Sequence, residues 1–573
     1  MKSPLRYIAG LMLAAGVTIA ALLALRHLRP LPDDQSPAAQ RPSTQHTIQL
    51  RDVLDQTGIA FVHTDGSSGR RYIVETVSAG LASFDYDGDG RIDIYLINGA
   101  PLPGTPAADP PPRNALYRNE GDWGFRDVTN EAGVGDTGFG LGVGAADWDN
   151  DGFPDVFVNN FGLNVLYRNN GDGTFSDVTQ IAGVAGDGQV GAGACFLDLD
   201  ADGDLDLYAA NYVKFTCATH VSQSQDGHPV YVGPRSYPFE PDLLYRNNGD
   251  GTFTDISTAS GIAAHAGSGM GAICCDYDGD GDTDVFVLND VAGNYLFEND
   301  GAGNFREVGL MAGAAYNALG DDLGSMGVDC GDYDNDGRLD FLTTSYQGEL
   351  PVLYRNRGDG TFADATVHAR VGAAALRHVN WGVGLVDFDN DGWRDIFMAC
   401  GHLQDNIDLL DSSTAYRALN ILLANNGDGT FTDVSAVGGA GMSIERSSRG
   451  AAFDDLDNDG RVDAVILNSR QEPTVLRNVS SGGNHWIQLR LRGVEANRDG
   501  VGSRVRVVAG DLVQIAEVHS GRGYQSHWGA RLHFGLGTRN RVDRLEVHWL
   551  GGGVDVLENV EADRLLQIIE NER

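Results

Sequence analysis

A nine-residue pattern, Asp-x-Asp-x-Asp-Gly-x-x-Asp, occurs seven times along the chain, beginning at Asp85, Asp147, Asp198, Asp276, Asp332, Asp387 and Asp455. Every copy is complete. Successive starts lie 62, 51, 78, 56, 55 and 68 residues apart, so the shortest unit is 51 residues long and the others carry insertions. Self-similarity at such a period points to a solenoid or a propeller before any local reading is made.

Each unit holds more than its loop. A small-residue apolar stretch such as GLGVGAADWD (140–149) leads into it, and a β-branched and aromatic run such as DVFVNN (155–160) or DVFVLN (284–289) follows. Then comes LYRNNGDGTF (166–175, 244–253) or a relative, in which two short strands flank a glycine-rich turn. Four strands per unit, repeated radially, make a propeller blade. The segment TIQLRDVLDQTG (47–58) resembles the last strand of a unit but precedes the first. It is placed to complete the final blade and so leave no open edge. The fold class read from these features is all-β: a seven-bladed β-propeller over 47–480, a smaller β domain over 481–573, and one apolar helix before them.

The loops call for a hard cation. Calcium takes six to eight oxygens, and carboxylates at positions 1, 3 and 5 of a tight loop converge on one centre when glycine at position 6 permits the turn. The ligand set is then Asp85, Asp147, Asp198, Asp276, Asp332, Asp387 and Asp455 at position 1, with Asp87, Asp149, Asp200, Asp278, Asp334, Asp389 and Asp457 at position 3. Position 5 adds Asp89, Asp151, Asp202, Asp280, Asp336, Asp391 and Asp459, and position 9 adds Asp93, Asp155, Asp206, Asp284, Asp340, Asp395 and Asp463. Position 7, occupied by Arg91, Phe153, Asp204, Asp282, Arg338, Trp393 and Arg461, would offer its carbonyl. An EF-hand would need Glu at position 12, where strand residues such as Leu96 and Val158 stand instead. Up to seven calcium ions are expected, as rigid staples rather than sensors.

Formal net charge is −39, which disfavours nucleic acid and acidic membranes as partners. The whole of it lies upstream, because residues 484–573 hold 12 Arg and 12 acidic residues. There HWIQLRLRG, SRVRVVAG and VDRLEVHWL alternate as half-buried strands do. Arg490 with Arg492, and Arg504 with Arg506, share strand faces and form a candidate basic surface for the acidic propeller or an anionic partner. At the other end, Lys2 and Arg6 precede an apolar run from Tyr7 to Leu25, suited to a signal peptide or, as favoured here, an uncleaved signal-anchor over 1–25, with a flexible linker over 26–46. That segment would be the protein's membrane contact. Export to the periplasm or another extracytoplasmic space suits calcium loops. Six cysteines, at 195, 217, 274, 275, 330 and 400, are read as buried free thiols in preference to a disulfide framework. The tail's histidines (485, 519, 527, 533, 548) lack metal-ligand spacing, and HExxH, GxSxG and P-loop signatures are absent.

The repeats resemble FG-GAP (VCBS-type) propeller units. The tail, NRDGVGSRVRV through GRGYQSHWGARLHFGLG to VDRLEVHWLGG, resembles the ASPIC/UnbV domain, and together they resemble the cartilage acidic protein family. The resemblance implies calcium binding and leaves activity unassigned. A calcium-stabilised binding scaffold at the cell envelope, recognising an extracellular protein or glycan, is the primary reading. An enzyme of the polysaccharide-lyase or natural-product-tailoring type is the alternative, and a mechanical envelope component a third. The binding surface is expected opposite the calcium loops, where the longest insertion (211–242) carries Tyr212, Lys214, Phe215, Tyr231, Arg235, Tyr237 and Phe239. These aromatics either stack on a ligand or pack the insertion onto the propeller. RGD at 357–359 is read as a repeat turn, since NRGDGTF replaces NNGDGTF.

Overall fold

The structure is a computed structural model that describes residues 48–572 apart from 78, 79 and 107. The signal-anchor and linker expectations, over 1–25 and 26–46, therefore lie outside the described residues. Among the described residues, no helix is long and apolar enough to cross a membrane.

Seven four-stranded antiparallel sheets account for residues 50–478. In the second, Phe139–Ala146, Asp155–Phe161, Val165–Asn169 and Phe175–Asp177 follow one another in chain order. The Asp-rich loop joins the first two strands and the NGDG turn joins the last two. The last sheet breaks chain order: Ser448–Asp454, Asp463–Asn468 and Thr474–Asn478 are completed by Leu50–Asp52, with Leu50 opposite Asn478 and Asp52 opposite Leu476. The expected closing strand is therefore present. Each sheet's first strand packs against that of the next, and the seventh against the first, so the circuit closes.

The small residues of those first strands explain the close packing. A Cβ on Gly142 would lie 1.9 Å from the Ala192 carbonyl of the next blade, and one on Gly327 would lie 2.1 Å from that of Trp381. Only glycine lets neighbouring backbones approach so closely. Between blades, alternating strand residues such as Phe286, Phe341 and Phe362 stack in the core.

The C-terminal segment builds two further sheets. His485–Arg492 lies between Leu532–Gly537 and, in parallel, Arg564–Ile569. Arg504–Ala509 lies between Leu512–Glu517 and Arg541–His548, with Val554–Glu561 at the edge. Apolar residues at alternate positions, among them Ile487, Leu489, Val505, Val507, Leu545 and Val547, form one core with Trp148 and Phe196 of the propeller. Residues 519–529 leave these sheets and enter the ring. They touch the innermost strand of every blade, through bridges from His527 to Ala82, Ser520 to Phe196 and Gly523 to Val328, and through contacts of Gln525 with Val143, His519 with Cys274, Gly523 with Val383 and Trp528 with Phe453. At the tip Tyr524 is buried against Trp381, and its hydroxyl donates to the Val77 carbonyl. Arg522 forms a buried ion pair with Asp329. The channel of the ring is filled by the chain's own tail.

Candidate metal centres

Each Asp-rich loop is organised by its own backbone. The position-1 carboxylate accepts the amide of the position-6 glycine, as in Gly90 to Asp85 (3.1 Å), Gly152 to Asp147 (2.6 Å) and Gly460 to Asp455 (2.7 Å). That glycine sits at positive φ, for example 85° at Gly90 and 101° at Gly152, which bends the loop around a centre. Position 9 is buried and bridges two strands. Asp93 accepts the Tyr86 and Asn119 amides, and Asp155 those of Trp148 and Asn169.

The carboxylates converge. Ligand atoms of Asp85, Asp87 and Asp93 lie within 4.8 Å of one another, as do those of Asp147, Asp149 and Asp155, of Asp198, Asp200 and Asp206, of Asp276, Asp278 and Asp284, and of Asp332, Asp334 and Asp336. Positions 1, 3 and 9 thus meet in the first four loops, and positions 1, 3 and 5 in the fifth. In the loops that begin at Asp387 and Asp455, the position-1, -3 and -9 carboxylates are likewise close enough to repel one another's charge.

A cation fits these centres on two grounds. Asp85 Oδ1, Asp149 Oδ1, Asp334 Oδ1 and Asp457 Oδ1 are buried with no hydrogen-bond partner, which is costly for a carboxylate. In addition, burial raises the position-9 carboxyls of Asp93, Asp155, Asp206, Asp284, Asp340, Asp395 and Asp463 well above the usual range, their loop neighbours adding to the shift. Desolvation likewise lifts Asp198 and Asp332 to about 7. A divalent ion would reverse that pressure.

Two features of the site are not singled out by the aspartate pattern. The first is an arginine on the third strand. Arg118 reaches Asp87 (2.6 Å) and Asp89 (3.1 Å), and Arg355 reaches Asp334 (2.6 Å) and Asp336 (3.0 Å). Arg168 and Arg477 do the same in their blades, and Arg246 reaches the position-3 Asp200 (3.4 Å). At position 7 the side chains of Arg91, Arg338 and Arg461 bind the position-5 carboxylates Asp89, Asp336 and Asp459. Position 5 in these blades is thus partly neutralised by arginine. The signal was the recurrent YRN.

The second is the asparagine of that same tripeptide. Asn169 Nδ2 donates to the Pro154 carbonyl of its own loop (3.1 Å) and to the Tyr86 carbonyl of the preceding blade's loop (2.8 Å). Asn247, Asn299, Asn356, Asn425 and Asn478 repeat this, and Asn119 closes the series on Leu456 (2.8 Å). All seven loops are clipped to a neighbour. Position-4 asparagines add a second clip in the opposite direction: Asn150 to Gly203, Asn335 to Gly392, Asn390 to Gly460 and Asn458 to Gly90.

The C-terminal sheets cover this face. Arg490 bonds Asp85 (2.9 Å), Gln488 bonds Asp455 (2.9 Å), and Arg504 reaches the Asp276 carbonyl (2.6 Å). Asp499 accepts the Asp147 amide (2.7 Å). The expected basic surface therefore acts through Arg490 and Arg504, while Arg506 turns to Glu546 of its own sheet.

On the opposite face the insertions meet, and there the aromatics follow the packing alternative. Tyr212, Phe215, Tyr231 and Tyr237 are buried in one cluster with Tyr72, Met270 and Trp381, and Phe239 packs against it. They hold the insertion to the ring, because large apolar rings lose more by exposure than a loop gains by freedom. Lys214 lies by Glu240 (3.6 Å), and Arg235 binds Asp322 and the Val291 carbonyl. Asp359 of the RGD caps its own turn through Thr361, as Asp172 does through Thr174. All six cysteines are free, with five buried and Cys217 half-buried.

Comparison with known proteins agrees with this architecture. The FG-GAP-like repeat model matches residues 85–158, 147–209, 225–287, 276–343 and 332–398, and the ASPIC and UnbV model matches 493–573. Human cartilage acidic protein 1 is 25% identical over 391 residues, covering 66% of this chain and 52% of the human protein. The chain thus spans about half the length of that curated relative. Among solved structures, an Agrocybe aegerita lectin recognising non-reducing terminal N-acetylglucosamine superposes with a TM-score of 0.37 at 19% identity, covering 62% of this chain and 79% of the lectin. A Bacillus licheniformis rhamnogalacturonan lyase gives 0.35 at 13% identity, covering 71% and 72%.

Proposed function

Because the chain belongs to the FG-GAP-like repeat family and ends in an ASPIC and UnbV segment, we propose that it is a calcium-stabilised propeller scaffold, exported to the cell envelope, that binds a protein or glycan partner. The observation that carries the calcium reading is the set of buried, unpartnered carboxylate oxygens of Asp85, Asp149, Asp334 and Asp457, each in a loop whose other carboxylates lie close by. Positions 1, 3 and 9 would hold the ion, with position 5 in the fifth loop and the position-7 carbonyl beside them. Bound calcium supplies the positive charge that lets these buried groups stay ionised. The chain's own residues do the rest: the position-6 glycines shape the loop, and the position-9 aspartates tie it to the third strand.

The binding role is supported by the distribution of loops. One face is covered by the C-terminal sheets, while the insertions gather on the other, and variable loops on a rigid frame are where recognition is usually built. Export is supported by the loops themselves, which suit the higher calcium outside the cytoplasm. With free calcium a hundredfold above its dissociation constant, each site adds about 2.7 kcal/mol to stability.

Calorimetric titration of chelated protein, with melting followed in parallel, tests the metal reading: saturable uptake by several sites and a rise in melting temperature are expected, and neither occurring would overturn it. Screening calcium-loaded protein against envelope-protein and glycan arrays, with product formation monitored, tests the role. Binding without turnover is expected, and turnover would overturn the scaffold assignment.

A further inference from the structure

On the insertion face, above the tip of the C-terminal hairpin, lies a cavity of about 200 Å³. Its floor is apolar and polarizable: Met270, Met326 and Trp381 are buried there, with Tyr524 packed edge-on against Trp381. At its rim stand Asp290, Glu349 and Tyr346, all half-buried.

Both rim carboxylates are held by neutral donors. Asp290 accepts the Tyr212 hydroxyl (2.6 Å), and one oxygen of Glu349 accepts the Gly324 (2.8 Å) and Tyr346 (3.2 Å) amides. Among the described residues neither has an ion-pair partner. Burial and the charge of Glu349 push Asp290 up to about 6 although Tyr212 and Arg235 act the other way, and Glu349 is itself raised by burial with Asp322 and Asp321 adding to it. Arg235 cannot serve as the missing counter-ion, since its guanidinium is engaged by Asp322 and the Val291 carbonyl. Of the other guanidiniums around the cavity, Arg449 stacks 4.2 Å from the Trp381 ring centroid and is bound by backbone carbonyls and the Ser447 hydroxyl, while Arg71 and Arg470, which contact the lining Tyr231, are paired with Asp405 and with Asp65 and Asp405, respectively.

We propose that this cavity is a binding site for a primary ammonium group on an apolar stem, the ammonium at Asp290 and Glu349 and the stem over Met270, Met326 and Trp381. The chemistry selects that class. A hard metal ion would require oxygens around it, whereas here the floor is thioether and ring. An anion would meet two carboxylates. An ammonium offers three donors to two carboxylates and a favourable approach to aromatic faces, and its alkyl stem gains by desolvation. Either a free alkylamine or a lysine side chain of a partner protein carries this group. The inference deepens the binding role proposed above and is independent of its metal sites.

The test is titration of the calcium-loaded protein at pH 8, above the value of about 6 to which Asp290 is raised and where alkylamines are protonated. Probes are n-butylamine and Nα-acetyl-lysine amide, with n-butanol and butyrate as controls, and tryptophan fluorescence and calorimetry as readouts. The amines should bind at least about tenfold more tightly than butanol, and Asp290→Asn and Glu349→Gln should each weaken them by about tenfold. Both substitutions keep an acceptor for the Tyr212 hydroxyl or the Gly324 and Tyr346 amides, and calcium-dependent melting reports whether the fold persists. If one variant fails to fold, the other decides. Tighter binding of the lysine derivative than of butylamine identifies a protein partner as the source, and the reverse a free amine. Equal binding of butanol or butyrate, or undiminished binding by the variants, overturns the site. That result would leave the calcium scaffold standing if melting still depends on calcium.

Discussion

The loops of the fourth and fifth blades share one nine-residue pattern and differ in what surrounds it. In the fifth, Arg355 spans Asp334 and Asp336, and Arg338 binds Asp336 again. In the fourth, Glu298 stands where Arg355 stands in the fifth, and Asp282 takes position 7. Desolvation and Asp280 raise the carboxyl of Asp278 to about 6, and Glu298 adds to that rise where an arginine would oppose it. Among the described residues, the cation paired with this loop is Arg504 of the C-terminal segment, 3.4 Å from Asp276. Identical ligands therefore sit in different fields: two arginines pair with positions 3 and 5 of the fifth loop, and one arginine pairs with position 1 of the fourth. The sixth blade also has no arginine at that position of its third strand, where Ala424 stands.

The broadest way to break this comparison is to remove every ion. Chelation should lower the melting temperature by more than about 10 °C, given about 2.7 kcal/mol per saturated site spread over a chain of this size. Stepwise return of calcium should show at least two affinity classes, and a single class would end the distinction between loops.

The pH response should then invert. In chelated protein, Asp198 and Asp332 have folded-state values of about 7, above the unfolded value of 3.8, so the folded state binds more protons. Their contribution is fully present below pH 4 or so and is lost as pH rises through about 7. Chelated protein should thus melt higher at pH 5 than at pH 8. Calcium-loaded protein should do the opposite, because protons compete with the ion. Parallel slopes in the two states would contradict the assignment.

Asparagine clips should cost the same in both blades, because they do not depend on loop charge. Asn299→Ala and Asn356→Ala each strand two buried carbonyls and should each lose about 2 kcal/mol in denaturant unfolding. A large difference between them would mean that loop charge reaches the clips after all. Next comes a direct exchange: Glu298→Arg should weaken the tightest class of calcium sites by about tenfold, equivalent to about 1.4 kcal/mol. The smallest effect is expected from Arg355→Gln, which should tighten one site of the weaker class by about threefold, since partly exposed pairs are worth little. Calorimetry resolves both.

Much of this was legible in the sequence, and the parts that were not share a cause. The aspartate spacing located the centres, and the four-strand unit and the strand at 50–52 gave the ring and its closure, because periodicity encodes which residues share a face. It does not encode partners across the ring. Nothing in GRGYQSH indicates that Tyr524 will lie against Trp381 or that Ser520 will bridge to Phe196. The YRN tripeptide was visible in most units, yet its arginine and asparagine gain meaning only when the third strand is placed beside one loop and near another. Aromatics in the 211–242 insertion were read as a surface or as packing, and composition alone does not separate the two. Burial does.

The asparagine clips have a kinetic consequence. In a linear array, unfolding can begin at an end, where a unit has a single neighbour to lose. Here each third strand grips the loop before it, and Asn119 returns the series to Leu456. There is no end. The first blade to open must give up two neighbours at once, with the ring strained until both release. The barrier to that opening, rather than the equilibrium stability of any one blade, should set how long the protein survives among proteases, and an excess of calcium should lengthen that time by slowing unfolding.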